Sequence, residues 1–121
     1  MAQANIPLVI PKGTTYRKGF LWKQGPVGGP FTPVDLTGAS GRCHFRETHA
    51  DTSTLVELST SAGGGITFGG NTGAITIELS PARSALLTAT GVYDLEVTLA
   101  NGDVLRPFGG TFQGNDGVTR G

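Results

Sequence analysis

The segment Gly91-Val92-Tyr93-Asp94-Leu95-Glu96-Val97-Thr98-Leu99 constrains the fold of this chain more than any other. Tyr93, Leu95, Val97 and Leu99 share one parity, while Val92, Asp94, Glu96 and Thr98 share the other. That is the period of two of a strand with one face buried. It predicts a sheet packed on a core from one side.

The same rhythm recurs upstream. Ile75, Ile77 and Leu79 alternate with Thr76 and Glu78, and Cys43 and Phe45 alternate with Arg42, His44 and Arg46. Between Thr14 and Gln24, Tyr16, Lys18, Phe20 and Trp22 fall on one side, which makes that face strongly aromatic. Leu55-Val56-Glu57-Leu58 and Ile66-Thr67-Phe68 add two short strands. Turn signals separate these runs: Gly25-Pro26-Val27-Gly28-Gly29-Pro30, Pro33-Val34-Asp35-Leu36-Thr37-Gly38, Gly63-Gly64-Gly65 and Gly69-Gly70-Asn71-Thr72-Gly73. The two later glycine groups are expected as hairpin connections, because glycine supplies the positive φ of tight turns.

At Ser80-Pro81 the period changes. Serine as N-cap and proline at the first helical position predict a helix of one or two turns over Ala82-Arg83-Ser84-Ala85-Leu86-Leu87, plugging an end of the sandwich or crossing between sheets. Asn101-Gly102-Asp103 then predicts a hairpin from strand 91–99 into a last strand running from Val104 toward Gln113. Pro107 lies inside that strand, so an edge position or a bulge is expected there. About seven short strands with one small helix indicate an all-β antiparallel sandwich.

A length of 121 residues without a break in composition fits one domain. Twenty glycines and seven prolines, spread rather than periodic, suit many turns between short strands. Nine Lys and Arg balance nine Asp and Glu, and the basic residues are scattered, which argues against a phosphate-binding face and hence against nucleic acid as a partner. The single cysteine, Cys43, has no intrachain disulfide partner. Met1-Ala2-Gln3-Ala4-Asn5 lacks the basic start and apolar stretch of a secretion signal, and no apolar run reaches membrane length. Folding in the cytoplasm, away from membranes, is the expectation.

Residues 1–13 carry Pro7 and Pro11 around Leu8-Val9-Ile10, which favours an extended arm, with local packing and reach to a neighbour both open to it. The expected division is therefore an arm over 1–13 and a sandwich domain over 14–121. Ile6, Leu8, Val9 and Ile10 are the candidate partner-binding residues, since an extended arm can add a strand to a neighbour's sheet edge.

Candidate chemistry is sparse. Cys43-His44-Phe45-Arg46-Glu47-Thr48-His49-Ala50-Asp51 contains every common zinc-ligand type, but strand alternation turns Cys43 and His44 to opposite faces and no second cysteine pair exists. The glycine loops lack phosphate-binding spacing. Asp94 and Glu96 share a face, as a glycosidase pair would, yet such neighbours are commonly cross-strand ion pairs. Ser84 lacks a nucleophile elbow, and His44 and His49 have no orienting partner in sequence. Asn101-Gly102-Asp103 and Gly114-Asn115-Asp116-Gly117 are turn chemistry rather than calcium loops. Tyr16, Phe20 and Trp22 would form a sugar-stacking platform only if exposed, and burial of Trp22 would remove that reading. No catalytic residue, metal or cofactor is assigned.

Pro33-Val34-Asp35-Leu36-Thr37-Gly38, Ile75-Thr76-Ile77-Glu78-Leu79-Ser80 leading into a short helix, Tyr93-Asp94-Leu95-Glu96-Val97 and terminal Val118-Thr119-Arg120 occur in that order. Together they resemble the small immunoglobulin-like virion proteins of tailed bacteriophages, including the N-terminal domain of baseplate upper proteins, over most of residues 14–120. The resemblance implies an immunoglobulin-like sandwich that is not an enzyme, is present in several copies in the virion, and docks on tail, baseplate or capsid subunits. A capsid decoration protein and a collar or adaptor component fit it equally. Baseplate upper proteins continue into a fibre-bearing region, whereas this sequence stops at Gly121, a departure from the family pattern that puts receptor binding or fibre attachment in doubt. A carbohydrate-binding module and a small hydrolase are the alternatives of other classes, the first needing an exposed aromatic and the second a histidine in a pocket.

Overall fold

In the computed structural model, which describes residues 4–26, 28–48, 50 and 53–116, nearly all regular structure is strand. In chain order these are β1 (Ala4–Asn5), β2 (Leu8–Pro11), β3 (Tyr16–Leu21), β4 (Lys23–Gln24), β5 (Thr32–Pro33), β6 (Ser40–Arg46) and β7 (Val56–Ser59). β8 (Ile66–Phe68), β9 (Ala74–Leu79), helix α1 (Pro81–Ser84), β10 (Thr90–Thr98) and β11 (Val104–Asn115) complete the chain. One sheet has the order β1-β11-β10-β6-β7, with β2 also on β11; the other is β3-β9-β8, and β4 and β5 form a separate two-stranded ribbon.

In the lettering of immunoglobulin domains, β3, β8 and β9 occupy the B, D and E positions, and β6, β7, β10 and β11 the C, C′, F and G positions. The chain is an all-β, immunoglobulin-like sandwich. The alternation of β10 is realised residue by residue: Tyr93, Leu95 and Val97 are buried, while Asp94, Glu96 and Thr98 are half-exposed. Cys43 and Phe45 on β6, Leu58 on β7, and Ile75, Ile77 and Leu79 on β9 complete the inward faces. Phe20 and Phe108 stack across the gap between the sheets with ring centroids 4.8 Å apart. Phe45 stacks on Tyr93 and meets Phe112 edge-on, so one aromatic row crosses β10, β6 and β11. No disulfide joins the sheets; Cys43 is a free, buried thiol whose ionisation burial pushes far up. It acts as a small hydrophobe.

The expected helix forms over four residues, with the Ser80 hydroxyl accepting from Arg83 N at 3.2 Å and Pro81 in its first turn. It carries the chain from β9 in one sheet to β10 in the other. Pro107 sits at a bulge, as expected: Leu95 faces Phe108 and Val97 faces Leu105, which leaves Arg106 and Pro107 together opposite Glu96. Proline is tolerated there because the extra residue owes no ladder hydrogen bond. No helix is long and apolar enough to cross a membrane among the described residues.

Two expectations are corrected. Gly63-Gly64-Gly65 is not a hairpin connection, because β7 and β8 belong to different sheets. Ser59 N donates to Gly64 O at 2.9 Å and Glu78 N to Gly65 O at 2.7 Å, so this segment clips one sheet to the other. Gly69-Gly70-Asn71-Thr72-Gly73, by contrast, does join an antiparallel pair, β8 and β9.

The second correction concerns residues 1–13. From Ala4 onward they are not a free arm: β1 and β2 lie parallel to β11, with Ala4 opposite Phe108 and Leu8 opposite Phe112. Leu8 and Ile10 are 2 % and 0 % exposed and belong to the core, and Ile6 packs against it in part. Gly110, at φ +147°, lets the chain around Asn5 and Ile6 approach β11, where a Cβ would overlap it. The boundary at 13/14 therefore cuts through one packed unit. The alternation Leu8-Val9-Ile10 holds the signal, and burial of two aliphatic side chains, each a gain of about 1.5–3 kcal/mol, outweighs the freedom of an arm.

Candidate functional site

Two surfaces gather polar side chains. The first is the outer face of the larger sheet, where strand register fixes which charges meet. Asp94 lies opposite His44, Glu96 opposite Arg42, and His44 in turn opposite Glu57. Glu96 Oε1 accepts from Arg42 Nε and Nη2 at 3.2 and 3.1 Å, and its Oε2 accepts from Arg106 Nη2 at 3.1 Å. The β11 bulge brings Arg106 to this position, and its Nε also lies 3.7 Å from Asp94 Oδ2. Both carboxylates that a glycosidase would need are thus held by guanidinium groups, as the cross-strand reading expects.

His44 occupies the middle of this face. Arg46 Nη2 lies 3.2 Å from His44 Nδ1, and a guanidinium is always a donor, so Nδ1 accepts and the neutral ring carries its proton on Nε2. That Nε2 is buried without a hydrogen-bond partner; Glu57 Oε1 is 3.6 Å away. No group of three or more metal-ligating side chains exists among the described residues. His49 and Asp51, the other members of the zinc-type run, lie outside those residues.

The remaining candidates are distributed through the structure rather than brought together. Ser84 is fully buried and its hydroxyl donates to Thr14 O at 2.7 Å, tying α1 to the start of β3. Trp22 and Phe20 are 3 % and 6 % exposed, so the sugar-stacking platform does not exist; Tyr16 is partly buried, and burial raises its phenol's pKa. Asp35 accepts from Thr37 N at 3.0 Å; hydrogen bonding from the Thr37 side chain, and after it from this backbone N–H, holds its carboxyl below the usual range, while Val34 and Leu36 on either side enter the core. Of the four candidate partner-binding residues, only Val9, 56 % exposed, presents its side chain to solvent; Ile6, Leu8 and Ile10 are turned to their own domain. Other exposed apolar side chains are Leu21, Phe31, Leu86 and Val104. The arm's terminal residues 1–3 and the Val118-Thr119-Arg120 end lie outside the described residues.

The second surface is a cleft of about 740 Å³ on the smaller sheet, which the sequence did not announce. It runs from the loop at Leu36 past β8 and the Gly63–Gly65 segment to Ser80 and Arg83. Its lining residues come from separate parts of the chain, and their juxtaposition depends on Gly63-Gly64-Gly65 crossing between sheets. No local pattern encodes that.

No family model matches the sequence, and no curated protein matches it. Among solved structures the chain is similar to extracellular domains 3–5 of Drosophila OTK, at 13% identity and a TM-score of 0.38. The likeness covers 94% of this chain and 35% of that one, so the chain spans about a third of the length of that structure.

Proposed function

We propose that this chain is a structural protein of a tailed-bacteriophage virion, a non-enzymatic sandwich that docks on tail, baseplate or capsid subunits in several copies per particle. It is made in the host cytoplasm and works in the virion. The observation that carries the reading is the fate of its reactive side chains. Asp94 and Glu96 are held by arginines, Ser84 by the Thr14 carbonyl, and Cys43 is sealed in the core. What remains for function is surface: loops, strand ends and exposed apolar side chains such as Phe31 and Leu86. Of the segments that carry the virion resemblance, the Pro33–Gly38 turn feeds Val34 and Leu36 into the core and the Ile75–Ser80 segment leads into α1, with Ser80 as its cap. Docking belongs to the loops and exposed faces, since Leu8 and Ile10 are not available to a partner.

Electron cryomicroscopy of purified particles, with mass spectrometry of their proteins, tests this. The chain is expected in the particle in a symmetric arrangement. Phe31→Asp, at a position 57 % exposed, is expected to leave thermal stability unchanged and to lower incorporation. Absence of the chain from purified particles would overturn the reading.

A further inference from the structure

The cleft on the smaller sheet holds two charged residues in its lining, Glu78 and Arg83, and they are not equivalent. Glu78 Oε2 accepts from Arg17 Nε at 2.7 Å, so its charge is already answered. The Arg83 guanidinium has no hydrogen-bond or ion-pair partner among the described residues, although the side chain is half-buried. Its Nη1 lies over Gly65, 3.2 Å from where a Cβ would stand, which fixes it at the edge of the cleft beside β8. A guanidinium with five donors and no acceptor matches a carboxylate bidentately.

The rest of the lining is hydroxyl and apolar surface. Thr60, Ser61, Thr67 and Thr76 offer hydroxyl groups, while the half-buried Phe68 offers carbon. A hydroxyl both donates and accepts, so such a wall suits a ligand that is itself covered in hydroxyls, and the carbon suits the C–H face of a sugar ring. A volume of about 740 Å³ lies in the range of small-ligand sites and exceeds what one protein side chain would fill.

We infer that this cleft binds an acidic saccharide, with the carboxylate of a uronic-acid unit on Arg83 and the sugar hydroxyls on the threonine and serine side chains. The site is independent of Trp22 and the aromatic strand β3, and it holds whether or not the chain belongs to a virion.

Titration of the ¹⁵N-labelled full chain with trigalacturonic acid, followed by NMR, tests the assignment, because chemical shifts detect even weak binding. Saturable shifts are expected at Gly63, Gly65, Thr67 and Thr76. The neutral trisaccharide galactotriose is expected to bind about tenfold more weakly or worse, as is Arg83→Gln with the acid, with Arg83→Lys intermediate. The spectrum of each variant without ligand reports its folding. The inference is overturned by an absence of shifts in the wild type, by equal binding of galactotriose, or by undiminished binding in folded Arg83→Gln. A glutamate-containing hexapeptide that binds the cleft more tightly than the saccharide would overturn it in favour of a protein partner.

Discussion

Tyr93 Oη donates a 2.6 Å hydrogen bond to the carbonyl of Ile6, joining the central strand β10 to the chain between β1 and β2. The phenol is buried, and its ring stacks on Phe45, so the hydroxyl reaches the edge of the core already oriented. This bond spans 87 residues of sequence. Tyr93→Phe keeps the ring and removes the donor, which leaves a carbonyl in a half-buried setting without that partner. A loss of about 1–2 kcal/mol is expected in urea unfolding, with little change in the native spectrum.

The same phenol makes the protein sensitive to alkali. Burial, with smaller contributions from Cys43 and Tyr16, pushes its ionisation well above the ordinary 10.0, and burial does the same to the Cys43 thiol from 9.0. Both folded-state pKa values are raised, so the stability each contributes is complete below the ordinary value and is lost as pH rises past it. Urea midpoints are expected to hold to about pH 9 and then fall. Tyr93→Phe combined with Cys43→Val should flatten that decline; an unchanged slope would refute the assignment to these two groups.

Residues 1–13 give the sharpest contrast between sequence and structure. With Leu8 and Ile10 at 2 % and 0 % exposure, Ile10→Ala is expected to cost about 2–5 kcal/mol. Deleting residues 1–13 removes β1 and β2, uncovers the edge of β11 and takes both aliphatic side chains from the core. Circular dichroism and thermal melts of the truncated chain should show a large loss of cooperative folding, and a fully stable truncation would return the segment to the status of an arm.

What the sequence revealed and what it hid have a common physical origin. The faces of β6, β9 and β10, the Ser80 cap and the Pro107 bulge are local, each set by alternation or by one residue's backbone chemistry. The Leu8-Val9-Ile10 alternation was also present, but its pairing partner is β11, a hundred residues away and parallel, and parallel pairing leaves no turn signal. Gly63-Gly64-Gly65 announced a turn without saying which sheet the next strand would join. The Arg83 cleft depends on that crossing, and so neither it nor the Arg106–Glu96 contact made by the bulge could be read from spacing alone.

Glu96 is 18 % exposed and its two arginine partners about 60 %, so the network is only partly shielded from water. Glu96→Gln is expected to cost about 0.5–1 kcal/mol at low ionic strength, and less at 1 M salt, where the Debye length is about 3 Å. A double-mutant cycle with Arg106→Gln should show coupling, and the coupling should shrink with salt. A salt-independent cost would mean that Glu96 acts through packing instead.

Gly91 stands opposite Phe112 across β10 and β11, and a Cβ at that position would overlap the Phe112 ring and crowd the Arg46 carbonyl. The ring is 2 % exposed and already meets Phe45 edge-on, so it has nowhere to retreat. Gly91→Ala should therefore destabilise by about 1–3 kcal/mol or more, although alanine generally suits a strand better than glycine. Adding Phe112→Leu, which leaves a smaller side chain opposite the new methyl group, should cost less in the Gly91→Ala background than in the wild type. Strict additivity of the two substitutions would mean that the glycine is there for a reason other than the ring.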